Sequence, residues 1–244
     1  MYDRRKYKSF ALKQLKGRWT IPVLMTLLID IITSIFDIPN FIILFRNPDF
    51  YGLLNYTGSD FSEILKLYSS ALEASTSSRI ISIIQVIVGG IFNVAAISVY
   101  LKLTRSPEKF SFGAFFEGLT HWAKAILATL WQFLWVTLWS LLFIIPGIIK
   151  SFAYSQMYYL ICEYKELSVT KAMRISIIMT KGHKWDLFVT YLSFIGWGIL
   201  SCLTLGIGFF WLIPYVNTTL ANAYHAMLKE AIETGKIKPE DLVE

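Results

Sequence analysis

Asp30 is the only formal charge in the apolar run from Thr20 to Phe36. An ionisable group inside a membrane-crossing segment is costly, so it marks either a functional carboxylate or one that orients its helix against a polar neighbour. Lys150 stands a turn past Pro146-Gly147 in a second apolar run. It either snorkels to the headgroups or pairs with Asp37 or Asp30. The amides Gln85, Asn93, Gln132, Gln156, Asn217 and Asn222 are scattered over several such runs. There they serve interhelical hydrogen bonds or line a polar cavity. Asp30, Gln132, Lys150 and Asn217 are therefore the candidate intramembrane polar residues.

Other chemistry has little to rest on. The sequence contains no H-E-x-x-H, P-loop, G-x-G-x-x-G or G-x-S-x-G string, so hydrolase, nucleotide-binding and metalloprotease readings lack a motif. His121 and His183 stand beside Trp122 and Lys184 at span boundaries, an interface position and not a metal site. Cys162 and Cys202 lie in apolar runs without C-x-x-C or metal-ligand spacing and are expected as free thiols. The expectation is a protein that is not an enzyme, with no catalytic residues, no bound metal and no cofactor.

These residues sit in a chain of 244, of which 55% are hydrophobic and only 16% charged. Soluble chains are roughly 45–50% apolar and 25% charged, so an ordinary soluble domain is excluded. A spanning helix needs about 20 mostly apolar residues. Thr20 to Pro39 supplies the first, and no small-x-small cleavage site follows it, so it is expected to be retained. Ile80 to Leu101 supplies the second. Ala125 to Ile149 is uncharged but broken by Pro146-Gly147, read as the turn between a third and a returning fourth span. Leu187 to Leu228 is 42 residues without Lys, Arg, Asp or Glu. As one helix it would be roughly 63 Å, about twice a bilayer's hydrocarbon core, so it must be two spans turning at Thr204 to Gly208.

The formal charge is +6, and the distribution of cations fixes an orientation. Lys and Arg are retained on the cytoplasmic side. With both termini inside, six spans place 19 of the 23 basic residues in the cytoplasm and leave Arg46, Lys66, Arg79 and Lys150 outside. The expected organisation is a basic cytoplasmic segment (1–19), one transmembrane domain (20–228) with a polar outer loop over about 40–79, and a cytoplasmic tail (229–244). Trp and Tyr cluster near span ends, which suits interfacial anchoring better than base stacking. No nucleic-acid partner is expected.

Two further patterns bear on partners. From Ser168 to Lys181 the apolar residues Val169, Ala172, Met173, Ile175, Ile177 and Met179 fall on one helical arc, with Lys171, Arg174 and Lys181 opposite. Such a helix either lies at the membrane surface, its cations touching anionic lipid headgroups, or packs on the inner face of the bundle. The segments LKGRW (15–19), EGLTHWAK (117–124) and TKGHKW (180–185) each place Gly and then Trp before a span. That is the mark of three repeated hairpins, or of interfacial tryptophan alone.

The strings SLLFIIPGIIKSFAYSQMYYLI (140–161), KAMRISIIMTKGHKWDLFVTYLSFIGWGIL (171–200) and TLGIGFFWLIPYVNTTLANAY (204–224) together resemble a bacterial integral-membrane family catalogued as domain of unknown function 975. LKGRW near the start fits as well. The Pro-Gly break followed by Ala172, Ser176 and Gly182 is also similar, more loosely, to the membrane domain attached to some glycerophosphodiester phosphodiesterases. The resemblance implies a multi-pass protein of the bacterial plasma membrane and no established activity. The sequence-based reading is an all-α polytopic protein of six transmembrane helices, three hairpins, and a short amphipathic interfacial helix. It would bind lipid or an unknown protein partner; a small transporter or channel is the alternative. With Cys162 and Cys202 removed, an impermeant thiol probe should label a cysteine at Ser59 in sealed cells and leave one at Ser168 silent. Labelling at Ser168 would mean that Pro146 is a kink within one span, with an odd number of passes.

Overall fold

The computed structural model describes residues 2–46, 48–58, 60–71, 76–106 and 112–242, so the probe site Ser59 lies outside the described residues. Among the described residues the chain is all-helical, with no strand. The helices are α1 (Arg4–Leu15), α2 (Thr20–Arg46), α3 (Pro48–Leu54), α4 (Phe61–Ala71), α5 (Thr76–Arg105), α6 (Gly113–Leu119), α7 (Trp122–Leu142), α8 (Ile144–Tyr154), α9 (Met157–Glu163), α10 (Val169–Met179), α11 (Lys184–Leu192), α12 (Ile195–Leu203) and α13 (Phe209–Glu233), before a 3-10 turn at Pro239–Leu242. Four segments are long and apolar enough to cross a bilayer: Thr20–Pro39, Arg79–Arg105, Trp122–Leu142 and Lys184–Leu203. The chain forms two compact units, Met1–Leu27 with Gly90–Glu244, and Leu28–Gly89.

Two reversals organise the first unit. α7 ends at Leu142, the single residue Phe143 is extended (φ −159°, ψ 145°), and α8 starts at once. The reversal therefore sits at Phe143. Pro146-Gly147, expected to form the bend, lies instead in the first turn of α8, where a proline's missing N–H costs no helical hydrogen bond. Ser140 meets Gly147, Trp139 meets Lys150 and Thr129 meets Tyr158, an order that shows α7 running antiparallel to α8 and α9. The second reversal falls where glycine spacing placed it. Leu205 (φ 54°) and Gly206 (φ 87°) are left-handed, and their N–H groups close the end of α12 onto Cys202 O and Ser201 O, both at 3.0 Å. At each reversal a serine faces a glycine seven residues later (Ser140 and Gly147, Ser201 and Gly208), and a Cβ on either glycine would collide with the hydroxyl.

The spans read as continuous are broken twice. α8 and α9 part at Ser155-Gln156, and α11 and α12 part at Ser193-Phe194. A side chain mends each gap. Ser176 Oγ on α10 donates to Ala153 O (2.7 Å) and accepts from Gln156 N (3.2 Å). Lys8 Nζ on α1 donates to Ser193 O (3.3 Å) and Ser193 Oγ (3.2 Å). This geometry draws α10 into the bundle, with Ala172, Met173, Ile175, Ser176 and Met179 buried. Of the two readings of its amphipathic pattern, the packed one describes the apolar face.

The N-terminal helix α1 was not expected from the sequence. The Asp3 carboxylate caps it by accepting Lys6 N–H (3.1 Å). Tyr7, Ala11 and Leu15, spaced by four, form its buried stripe, and α1 packs on α13. α6 in turn sets Gly118 against Ala95 of α5 and stacks Phe115 on Phe92.

One end of this unit gathers polar contacts from six separate stretches. Arg18 donates to Ser106 O (2.7 Å) and Gln14 to Thr104 O (3.2 Å). Gln14 and Asn222 exchange amide hydrogen bonds at 3.2 and 2.7 Å. Lys102 pairs with Glu117, Arg105 pairs with Glu163, and Lys124 donates to Leu167 O (3.1 Å). His183 faces Glu230 (3.0 Å) and Asp186 (3.4 Å) and holds the Glu230 carboxyl below its ordinary range. By contrast the reversals are apolar and bare, with Ile144 74% and Leu205 94% exposed.

The second unit corrects the expected outer loop. α2 continues through Pro39 to Arg46, and α3, α4 and the start of α5 occupy most of 40–79. The turn-like string ending in Asp60 is the entry to α4: the Asp60 carboxylate accepts Ser62 N–H (2.9 Å). Gln85 donates to the Asp37 carboxylate (2.9 Å).

Two substitutions should move stability in opposite directions. Ser176→Ala leaves Ala153 O and Gln156 N without their partner and should cost about 1–3 kcal/mol. Leu205→Gly removes a left-handed non-glycine residue and should gain about 1 kcal/mol. Thermal or denaturant unfolding in detergent measures both.

Candidate functional site

Trp131, Trp135 and Trp139 recur every fourth residue on α7, so their indoles lie on one helical face. Trp131 and Trp135 meet edge to face with centroids 5.9 Å apart. Lys150, one α8 turn beyond Gly147, brings its ammonium 4.4 Å from the Trp139 ring centroid. Tyr154, one turn further and buried, sets its hydroxyl within reach of the Trp139 indole N–H. The third wall is α10, which contributes Thr170, Met173, Arg174 and Ile177. Together these residues enclose an open groove of about 280 Å³ whose lining carries two cations and no carboxylate.

Each wall depends on a feature already described. The reversal at Phe143 brings α8 against α7, the Ser140–Gly147 contact sets their spacing, and Ser176 fixes α10 at the level of Ala153. An ammonium over an indole face is worth about 0.5–2 kcal/mol, more as water is excluded. The groove offers hydrogen-bond donors, positive charge and flat apolar rings. That chemistry would suit an anion attached to something apolar.

The structure unites two residues that the sequence had assigned to opposite sides. Lys150 was placed at the outer end of a span and Arg174 in an inner segment, yet both line this groove. Lys181 is exposed at the far end of α10, and Lys171 is half-buried and engaged in an interaction of its own. Neither lines the groove. Gln132, on the same helix as the tryptophans, has its amide oxygen buried without a hydrogen-bond partner among the described residues. Asn217 donates to Ile213 O (3.0 Å) and lies beside the buried Tyr100 hydroxyl, which Thr26 also approaches; the alignment is too poor for a geometric hydrogen bond. Asp30 belongs to the second unit, half-buried on α2. Its backbone carbonyl accepts from Ser34 (2.6 Å), and its carboxylate has no hydrogen bond or ion pair among the described residues.

The three tryptophans were legible as a four-residue repeat, although interfacial anchoring absorbed that signal. Lys8 and Ser176 gave none, since their partners are backbone atoms of breaks that the sequence does not announce. Among the described residues no three of His, Cys, Asp or Glu are grouped so as to hold a metal ion.

A double-mutant cycle of Lys150→Met and Trp139→Leu should show a coupling of about 0.5–2 kcal/mol in unfolding experiments. A coupling of zero would mean that the ring and the ammonium are merely adjacent.

The family described as "Protein of unknown function (DUF975)" matches residues 141–231. This is the family that the sequence resembles, and the matched stretch carries Lys150, Tyr154 and Arg174 but not the three tryptophans. No curated protein and no solved structure matches the chain.

Proposed function

We propose that this chain is a non-enzymatic, six-pass component of the plasma membrane, with its polar end in the cytoplasm, that holds lipid against its flank. The observation supporting lipid binding is the groove of Trp131, Trp135, Trp139, Lys150 and Arg174, open beside helices whose outward side chains are apolar. Six passes accord with the meeting of Arg18 with Ser106, of Lys124 with Leu167 and of His183 with Glu230. Each apolar excursion departs from and returns to one polar end. In this reading α8–α9 and α13 are the return passes of the second and third hairpins. The first of these is broken and the second carries Asn217, Thr218, Thr219 and Asn222 inward. Neither needs a wholly apolar surface, because neighbours cover much of both. The basic end then faces the compartment where cations are retained.

Lipid retention tests the function. The full chain, purified in mild detergent, should carry lipid visible by native mass spectrometry. Trp131→Ala with Trp135→Ala should lower its occupancy about tenfold, the effect of losing roughly 1.4 kcal/mol of ring contact. Absence of bound lipid in the wild type, or equal occupancy in a folded double variant, would contradict the assignment. Solute flux through proteoliposomes above that of empty vesicles would replace it with transport.

A further inference from the structure

We propose that the groove between α7, α8 and α10 selects lipids whose headgroup is a phosphate anion carrying no ammonium group. The proposal rests on the lipid-binding reading and goes on to name the ligand class. Lys150 and Arg174 supply hydrogen bonds that a phosphate oxygen accepts, and no carboxylate in the lining competes for them. The same absence leaves the ammonium of a zwitterionic headgroup without an acidic partner. Of the ring faces that could serve that ammonium instead, the one at Trp139 is already taken by Lys150, and like charges repel.

An internal comparison shows that the two cations are not there to build the groove. The second reversal repeats the first: Ser201 and Gly208 reproduce the contact of Ser140 and Gly147. Beside it lies a second groove, of about 430 Å³, between α12, α13 and the N-terminal helix. Superposing the two Ser–Gly pairs puts Lys150 at Trp211 and Tyr154 at Tyr215, and both of the latter line the second groove. Gly17 and Gly182 each follow the lead helix with positive φ, at 76° and 97°. Aligning them puts Ile177 at Leu12, again a lining residue, and Arg174 at Ser9. The same wall therefore stands once with two cations and once with none. A charge absent from the counterpart is dispensable for the architecture, and costly to keep beside lipid unless an anion meets it.

The test uses the full chain in nanodiscs of phosphatidylcholine, into which phosphatidylglycerol, phosphatidic acid or phosphatidylethanolamine is titrated. Occupancy is read by native mass spectrometry. The anionic lipids should be preferred by about tenfold or more at low ionic strength, as expected for charge-assisted contacts. Arg174→Ser installs the residue found at the equivalent position of α1. Combined with Lys150→Met it should reduce the preference to near unity, lowering occupancy by the anionic lipids more than occupancy by phosphatidylcholine. Because Arg174 is exposed, Arg174→Ser alone remains informative if the double variant fails to fold, and should lower the preference severalfold. Equal occupancy by anionic and zwitterionic lipids, or a preference for choline, overturns the selectivity but leaves lipid binding standing. No retained lipid of any kind overturns both. Inorganic phosphate displacing the anionic lipid at matched concentration would show that the site reads a free anion instead of a headgroup.

Discussion

A helix interrupted within lipid has no water to take up the backbone groups that it frees, and each one left alone costs on the order of a few kcal/mol. The first unit contains two interruptions between consecutive apolar helices and places a foreign side chain at each. Ser176 supplies both a donor and an acceptor to the gap at Ser155-Gln156, while Lys8 covers the carbonyl of Ser193. These contacts decide much of what surrounds them. The Ser176 hydroxyl has to lie beside Ala153, so α10 cannot rest at a distance from the bundle, and Arg174 is carried to the edge of the tryptophan face. Lys8, in the same way, ties α1 to α11–α12, with its ammonium 4.0 Å from the Phe194 ring centroid.

The partition of charge follows from the same scarcity of water. Cations at the polar end are met by Glu117, Glu163 and main-chain carbonyls. The opposite extremities of the helices, around Phe143 and Leu205, expose mainly large apolar side chains. Lys150 departs from this division, and its ammonium rests on an indole ring. A cation so placed retains most of its demand for a counter-charge, since a cation–π contact recovers only part of the lost hydration.

Hydropathy and charge revealed the helical class, the apolar runs and the turn at Thr204–Gly208, because those properties are summed over many residues and survive local exceptions. The Pro146-Gly147 signal was right about a reversal but three residues late: proline tolerates the first helical turn, and the geometry is taken by Phe143. The turn signals at Thr57, Gly58 and Asp60 did fall on irregular chain between α3 and α4, whereas most of the rest of the expected loop is helical. Helix breaks at Ser155 and Ser193 were invisible, for their stability resides in Ser176 and Lys8, 20 and 185 residues away. The groove was half legible. Lys150 and Arg174 each stood out and the tryptophan repeat on α7 did not, while their convergence depends on how deeply α10 sits, a long-range property that no local pattern encodes.

The docking of α1 has a bearing on how the molecule is made. Lys8 and Ser193 are separated by 185 residues, so α1 finds its seat only once α11, α12 and α13 have been made. Until then its buried stripe of Tyr7, Ala11 and Leu15 has no protein to cover it. A chain halted before α11 is left with a helix that cannot be seated.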